Sequence, residues 1–146
     1  MRDLPRQLSA EELAELFEGR TRFVERLAAV HDPLARARTL VHELPLDEKK
    51  EILAAHPAIG QRAGLSARSA AEQGTDDDPA VLDELAGLNA AYVSRHGFRF
   101  VVFINGRPKV EILEVLKARI GNDTGVELET ALGELVAIAD DRWRRT

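Results

Sequence analysis

Apolar residues recur at every third or fourth position over most of the chain, which is the spacing of helices that bury one face. The stretches are separated by capping residues, glycines and prolines, which are typical helix boundaries. We therefore predict an all-α fold, a compact bundle of about seven to eight helices. The predicted helix starts are, in chain order, Ser9, Thr21, Asp32-Pro33, Asp47, Ser66 or Ser69, Pro79, Pro108 and about Val126.

One stretch departs from the helical spacing. Residues 98–104, Phe-Arg-Phe-Val-Val-Phe-Ile, are aromatic and β-branched, and the turn pair Asn105-Gly106 follows them. No second stretch of this kind offers a pairing partner. We therefore expect a short buried extended segment near 98–104, whose main-chain N–H and C=O groups bond to other parts of the protein or to a ligand.

Composition narrows the class of protein. The 146 residues predict a single domain over 1–146, and 45% hydrophobic with 31% charged residues is ordinary for a globular chain. The absence of cysteine excludes disulfides, thiolate nucleophiles and cysteine metal sites. A net charge of −5 argues against nucleic acid or an anionic membrane as a partner. With neither a membrane-spanning run nor a signal-peptide pattern, we expect a cytoplasmic protein.

A histidine and a glutamate form the first candidate site. His56 lies three and four residues past Leu53 and Ile52, so it shares their apolar helix face, and Pro57 ends that helix. Ser69-x-x-Glu72 matches a capping box at a neighbouring helix start. An imidazole and a carboxylate at two helix ends suit acid-base chemistry. A histidine on an apolar face is, however, more often a hydrogen-bonded core residue, and spacing alone leaves both interpretations open.

Polar residues also interrupt the inward-facing stripes of later helices. Asn89 shares the face of Leu85 and Tyr92, and Arg142 lies four residues past Ile138. Spacing alone favours an Arg142 side chain that extends to solvent at the helix end. It leaves the orientation of Arg119 open.

Seven sequence blocks, in this order, resemble the OHCU decarboxylase family, whose substrate is 2-oxo-4-hydroxy-4-carboxy-5-ureidoimidazoline, the last intermediate of urate degradation before (S)-allantoin. Each block is weak by itself, but seven in register over nearly the whole chain are specific. The resemblance implies a cofactor-independent carboxy-lyase of purine catabolism with an all-α fold, usually a homodimer. The blocks are His56-Pro57-x-Ile59-Gly60, Ser69-x-x-Glu72-Gln73, Leu88-Asn89-x-x-Tyr92, His96-Gly97-Phe98-x-Phe100-Val101, Arg119-Ile120-x-Asn122, Glu129-x-Ala131-Leu132-x-Glu134 and Ile138-x-x-x-Arg142.

The resemblance also implies roles for single residues. His56 matches the family's essential histidine, Glu72 its catalytic carboxylate and Arg142 its inward-facing arginine, which makes the solvent-directed orientation of Arg142 the weaker interpretation. How His56 and Glu72 divide the work stays open. This sequence departs from the family at Ala58, commonly Asp, and at Arg99, commonly Pro. The positions that match substrate-binding residues are Pro57, Ser69, Ala70, Ala71, Gln73, Phe100, Val101, Val102, Phe103 and Ile104.

The reaction that the resemblance implies needs no metal and no cofactor, because the substrate's own ring takes up the electron pair when CO2 leaves. Its partner is a small molecule, the ureidoimidazoline. Two other classes of protein stay open. One is a non-catalytic helical module that binds a partner, and the other is a metal-dependent hydrolase of a related ureide. The hydrolase would draw on His31, His42, His56 and His96, which share no metal-binding spacing such as H-x-x-x-H.

Overall fold

The structure is a computed structural model, and it describes residues 4–57, 67–73 and 78–145. These residues contain eight α-helices and one 3-10 turn, Val41–Glu43, and no strand among them, so the all-α prediction is confirmed. The helices are α1 Ala10–Leu16, α2 Arg22–Ala28, α3 Pro33–Leu40, α4 Leu46–Ala54, α5 Ala67–Gln73, α6 Pro79–His96, α7 Lys109–Ile120 and α8 Thr124–Arg145.

Local capping chemistry explains where several of these helices begin or end. Ser9 and Glu12 form the predicted capping box of α1, with both reciprocal hydrogen bonds present. Thr21 accepts from the Val24 N–H at the start of α2, and Asp78 accepts from the Ala80 N–H at the start of α6. Gly97 ends α6 in the left-handed conformation at φ 80°, which a residue without Cβ adopts at no steric cost.

Two predicted helix starts, Asp47 and Ser69, need correction. Helix α4 begins at Leu46 after Pro45, so Asp47 is not its cap; Asp47 lies in the first turn, where its charge suits the helix dipole. Ser69 lies inside α5 and does not cap it; the other candidate, Ser66, lies outside the described residues. Asp32 precedes Pro33 as predicted but makes no side-chain capping bond.

The chain divides into two compact units, and the first is Met1–His56 with Leu132–Thr146. Its core includes Phe17 and Phe23, whose rings meet edge to face at 5.5 Å. Arg26 and Glu48 join α2 to α4 through two hydrogen bonds of 2.9 Å. The single domain over 1–146 stays a prediction.

The second unit is Pro57–Ala131, in which α6 packs against α7. Tyr92 of α6 is fully buried and contacts the rings of Phe98 and Phe100 at 5.9 and 5.3 Å. The predicted extended segment, residues 98–104, lies outside the helices, and it pairs with no strand among the described residues, as predicted. Asn105 and Gly106, at φ 50° and 73°, reverse the chain, and the Arg107 N–H donates to the Ile104 carbonyl at 3.1 Å.

Within the described ranges, every helix is too short or too polar to cross a membrane.

Candidate functional site

His56 follows the last turn of α4. Its main-chain N–H donates to the Leu53 carbonyl at 3.3 Å, and Pro57 prevents the helix from continuing. The side chain is 4% exposed, beside an α4 face on which Ile52 and Leu53 are fully buried. The predicted inward orientation of His56 is therefore confirmed. Its role as an acid or base stays a prediction.

Arg142 lies in the last turns of α8 and is 3% exposed. Its Nη1 donates to the Leu16 carbonyl at 3.1 Å, and its Nη2 pairs with the Glu18 carboxylate at 2.9 Å. The solvent-directed orientation that spacing alone favoured is therefore wrong. A buried guanidinium needs such partners, because burying an unpaired charge is costly.

Helix α5 carries the predicted substrate-binding block. Ser69 and Gln73 are buried, Glu72 is half-buried, and Ala70 and Ala71 are exposed. The Gln73 carbonyl accepts from the ammonium of Lys109 at 2.8 Å, which ties the end of α5 to the start of α7.

Sequence reasoning missed Lys109, although a signal was present. The helix dipole disfavours a cation in a first turn, so a lysine directly after Pro108 is out of place unless it has another partner. The Lys109 side chain is buried, and the Gln73 carbonyl is such a partner.

The extended segment finds its main-chain partners in two guanidinium groups. Arg119 Nη1 donates to the Val101 carbonyl at 2.9 Å. Arg107 donates from Nη2 to the Phe103 carbonyl at 2.6 Å and from Nε to the Ile104 carbonyl at 3.0 Å. Of the predicted substrate-binding residues here, Phe100, Val101 and Val102 are buried, while Phe103 and Ile104 are half-buried.

Arg119 belongs to a buried polar network centred on Glu127, which is fully buried. The Glu127 carboxylate accepts from the Tyr92 hydroxyl at 2.6 Å, from Arg119 Nε at 2.9 Å and from the Asn122 amide at 2.9 Å. Burial alone would raise the pKa of Glu127, but these three donors hold that pKa below its ordinary value. Burial and the bond to Glu127 raise the pKa of Tyr92. The guanidinium of Arg119 also lies 4.7 Å from the centre of the Phe100 ring.

The predicted site residues fall into both units. His56 and Arg142 belong to the first unit, and Pro57, Ser69–Gln73 and Phe100–Ile104 belong to the second. The convergence of His56, Glu72 and Arg142 on one pocket stays a prediction. Ala58, one of the two departures from the family pattern, lies outside the described residues, as do Ile59 and Gly60.

The histidines proposed for a metal-dependent hydrolase occupy different environments. His31 and His42 are exposed, whereas the ring of His96 bonds to the Thr124 hydroxyl at 2.7 Å and to the Ile120 carbonyl at 3.1 Å. Over the part of the chain that the structure describes, no group of three or more His, Asp or Glu side chains is arranged to hold a metal ion.

The described residues define an all-α protein with a buried imidazole at a helix end and two buried guanidiniums, Arg119 and Arg142, each held by a carboxylate and a main-chain carbonyl. Groups of this kind move protons and bind anions.

The chain belongs to the OHCU decarboxylase family, whose sequence model matches residues 2–144. It is 36% identical over 104 residues to the uric acid degradation bifunctional protein TTL of Arabidopsis thaliana, a match that covers 65% of this chain and 32% of that protein. It is 32% identical over 121 residues to the 2-oxo-4-hydroxy-4-carboxy-5-ureidoimidazoline decarboxylase of Amia calva, covering 77% and 69%. The chain therefore spans about a third of the longer, bifunctional relative.

The fold is similar to that of an OHCU decarboxylase crystallised in the presence of (S)-allantoin. The TM-score is 0.77 at 26% identity, and the match covers 92% of this chain and 96% of the other. The family resemblance of the seven sequence blocks is thus confirmed.

Proposed function

We propose that this chain decarboxylates 2-oxo-4-hydroxy-4-carboxy-5-ureidoimidazoline (OHCU) to (S)-allantoin in urate degradation, with His56, Glu72 and Arg142 as its catalytic residues. Family membership and the similar decarboxylase structure support the reaction. The observation that carries the residue assignment is the burial of both His56 and Arg142. Each is an ionisable side chain beneath the surface, at a position that matches a catalytic residue of the family.

In the proposed reaction, the bond between ring C4 and the carboxylate carbon breaks and CO2 leaves. The electron pair of that bond stays on the ring, where the adjacent C=N group takes it up. The former C=N nitrogen takes up a proton, which leaves an enol whose double bond joins C4 to C5, the ring carbon that carries the ureido group. A proton delivered to one face of C5, with loss of the C4 hydroxyl proton to form the C4 carbonyl, then completes (S)-allantoin. An imidazole suits this step because its ordinary pKa lies near neutral pH, so we assign the proton to His56. The ring of the substrate is the electron sink, and the proposal includes no metal, flavin or nicotinamide.

The other residues hold the substrate in one orientation. Arg142 binds an oxygen or carboxylate of the substrate through paired hydrogen bonds. Glu72 accepts hydrogen bonds from the ureido or ring N–H groups, which selects the face that meets His56. Main-chain groups of Val102–Ile104 bind the edge of the planar ring, and the remaining contacts come from Pro57, Ser69, Ala70, Ala71, Gln73, Phe100 and Val101.

We propose further that the protein is a cytoplasmic homodimer, because the family resemblance implies two subunits and the described helices include no membrane span. Sedimentation equilibrium tests the assembly, and a monomer at every concentration studied would contradict it.

The first test replaces His56 with Gln, which keeps the side chain polar but removes the proton donor. General acid-base assistance typically contributes ~10²–10⁴-fold, so the rate should fall by that factor, towards the uncatalysed one. Substrate decay and the build-up of optically pure (S)-allantoin are both followed by circular dichroism. His31→Gln is the matched control because His31 is exposed, and it should keep the wild-type rate and product.

Pure (S) product at the wild-type rate from His56→Gln would show that His56 is not the acid or base. In the same assay, Arg142→Ala should lose binding and turnover together, and Glu72→Ala should lose orientation of the substrate. Wild-type protein that shows no turnover of OHCU would instead favour the helical partner-binding module.

A further inference from the structure

Glu18 lies where a helix-ending glycine is normally found. Helix α1 ends in a Schellman motif, because the Gly19 N–H donates back to the Ala14 carbonyl at 3.0 Å. The residue before the donor in this motif is left-handed, and here it is Glu18, at φ 65°. Glycine is usual at that position because a Cβ is strained there. In this sequence the glycine comes one residue later.

Glu18 places a carboxylate at this position, which a glycine could not do. Its carboxylate is 10% exposed and pairs with Arg142 Nη2 at 2.9 Å. The Leu16 carbonyl, which lies in the last turn of α1 and therefore lacks a helical N–H donor, accepts from Arg142 Nη1 at 3.1 Å. We call these two acceptors the Leu16–Glu18 clamp. Both belong, with Arg142, to the first unit of the chain.

We propose that Glu18 is a positioning residue and a resident counter-ion for Arg142. This inference rests on the proposed function, in which Arg142 binds the substrate. A guanidinium is planar with its N–H donors in a fixed fork, so bonds at both terminal nitrogens fix its plane. A left-handed glutamate is strained, and strained residues of this kind concentrate at functional sites.

The charge of Glu18 affects the rate of the proposed decarboxylation as well as the orientation of the Arg142 guanidinium. The substrate carboxylate is negatively charged before the reaction and becomes neutral CO2 as the bond breaks. A guanidinium that bound this carboxylate with its full charge would stabilise the substrate more than the transition state, and would slow the step. The Glu18 carboxylate, already paired with Arg142, weakens the attraction between Arg142 and the substrate carboxylate before the reaction. It also keeps the guanidinium in its orientation.

Two variants test this inference. Glu18→Gln keeps the shape and removes the charge. Glu18→Gly removes the side chain, and the relief of left-handed strain offsets part of the cost of leaving the buried Arg142 without its carboxylate. Both should lower kcat about 10- to 100-fold, the scale of a misplaced catalytic group, and KM should stay the same or fall. Rates are expressed per folded molecule, from circular dichroism of each variant. A purely structural salt bridge would lower the melting temperature without this split between kcat and KM.

Asp32→Gly is the matched control. Asp32 is also left-handed, at φ 53°, is exposed and makes no side-chain capping bond. Its replacement relieves the same backbone strain away from Arg142, so kcat and KM should stay at wild-type values.

Wild-type kcat in Glu18→Gln, or a raised KM at wild-type kcat, would overturn the inference. The outcome for Arg142→Ala separates the role of Glu18 from the role of Arg142. If that variant is inactive while Glu18→Gln is fully active, only the role of Glu18 is wrong. If Arg142→Ala keeps full activity, the assignment of Arg142 in the proposed function fails as well.

Discussion

At the scale of single residues, the buried charge of Glu127 is held by several short bonds. Glu127 accepts from three donors, one of them the hydroxyl of Tyr92. A carboxylate with this many donors stays ionised inside the protein, and it favours a tyrosine that keeps its proton. The pKa of Glu127 is therefore lowered from its ordinary value, and the pKa of Tyr92 is raised.

Tyr92 is the only tyrosine of the chain, so its ionisation can be read without overlap from another phenol. Burial and the bond to Glu127 raise its pKa above the ordinary value of 10.0. The folded state therefore favours the protonated phenol, and this contribution to stability is present below pH 10 and is lost as pH rises above it. In a spectrophotometric titration, the phenolate band should appear only together with unfolding. A phenolate that forms near pH 10 in folded protein would contradict the bond.

At the scale of elements, the sequence predicted the helix ends and turns that depend only on residues close together in the chain. The capping box at Ser9 and Glu12, the glycine that ends α6 and the turn at Asn105-Gly106 are local, and each formed as predicted. The start of α4 was missed because Pro45 takes the position before the helix, where Asp47 was expected to act.

The orientations of the two arginines could not be read from helical spacing because their partners are distant in sequence. Arg119 bonds to a carbonyl 18 residues earlier, and Arg142 to one 126 residues earlier. A pattern of three and four residues carries no information on such contacts. For Arg142 the family resemblance supplied what periodicity did not.

The extended segment should depend on Arg119 for its order. Arg119→Met keeps roughly the length of the side chain but removes the donor to the Val101 carbonyl. It also removes one hydrogen-bond donor and the paired positive charge from the buried Glu127 carboxylate. Breaking a buried pair in this way costs about 3–5 kcal/mol of unfolding free energy. Hydrogen exchange should become faster at the amides of Phe100 to Val102, measured by mass spectrometry or NMR.

The control on the same helix is Lys117→Met, which removes a cation paired with Glu84 and Glu114 on the surface. Exposed pairs contribute little, so stability and exchange should hardly change. If the two substitutions changed stability and hydrogen exchange equally, the order of residues 98–104 would not depend on Arg119.

At the scale of the whole molecule, the proposed reaction predicts independence from metal ions. The substrate's ring takes up the electron pair and side chains supply the proton and the charge, so no step needs a Lewis acid. Activity should survive prolonged treatment with EDTA followed by dialysis. Loss of activity that zinc or manganese restores would favour the metal-dependent hydrolase instead.

The first unit is made from two separated parts of the chain, Met1–His56 and Leu132–Thr146. The bonds of Arg142 to Leu16 and Glu18 join these two parts. The consequence of this arrangement appears during synthesis. Residues 57–131 all leave the ribosome before Arg142 does, so α1 and its Leu16–Glu18 clamp emerge long before the guanidinium that they hold. A nascent chain stalled between residues 18 and 142 carries the clamp without its cation. Closing so long a loop is slow compared with forming local helices, so we expect the Leu16–Glu18 clamp to bind Arg142 only after the helices of the first unit have formed.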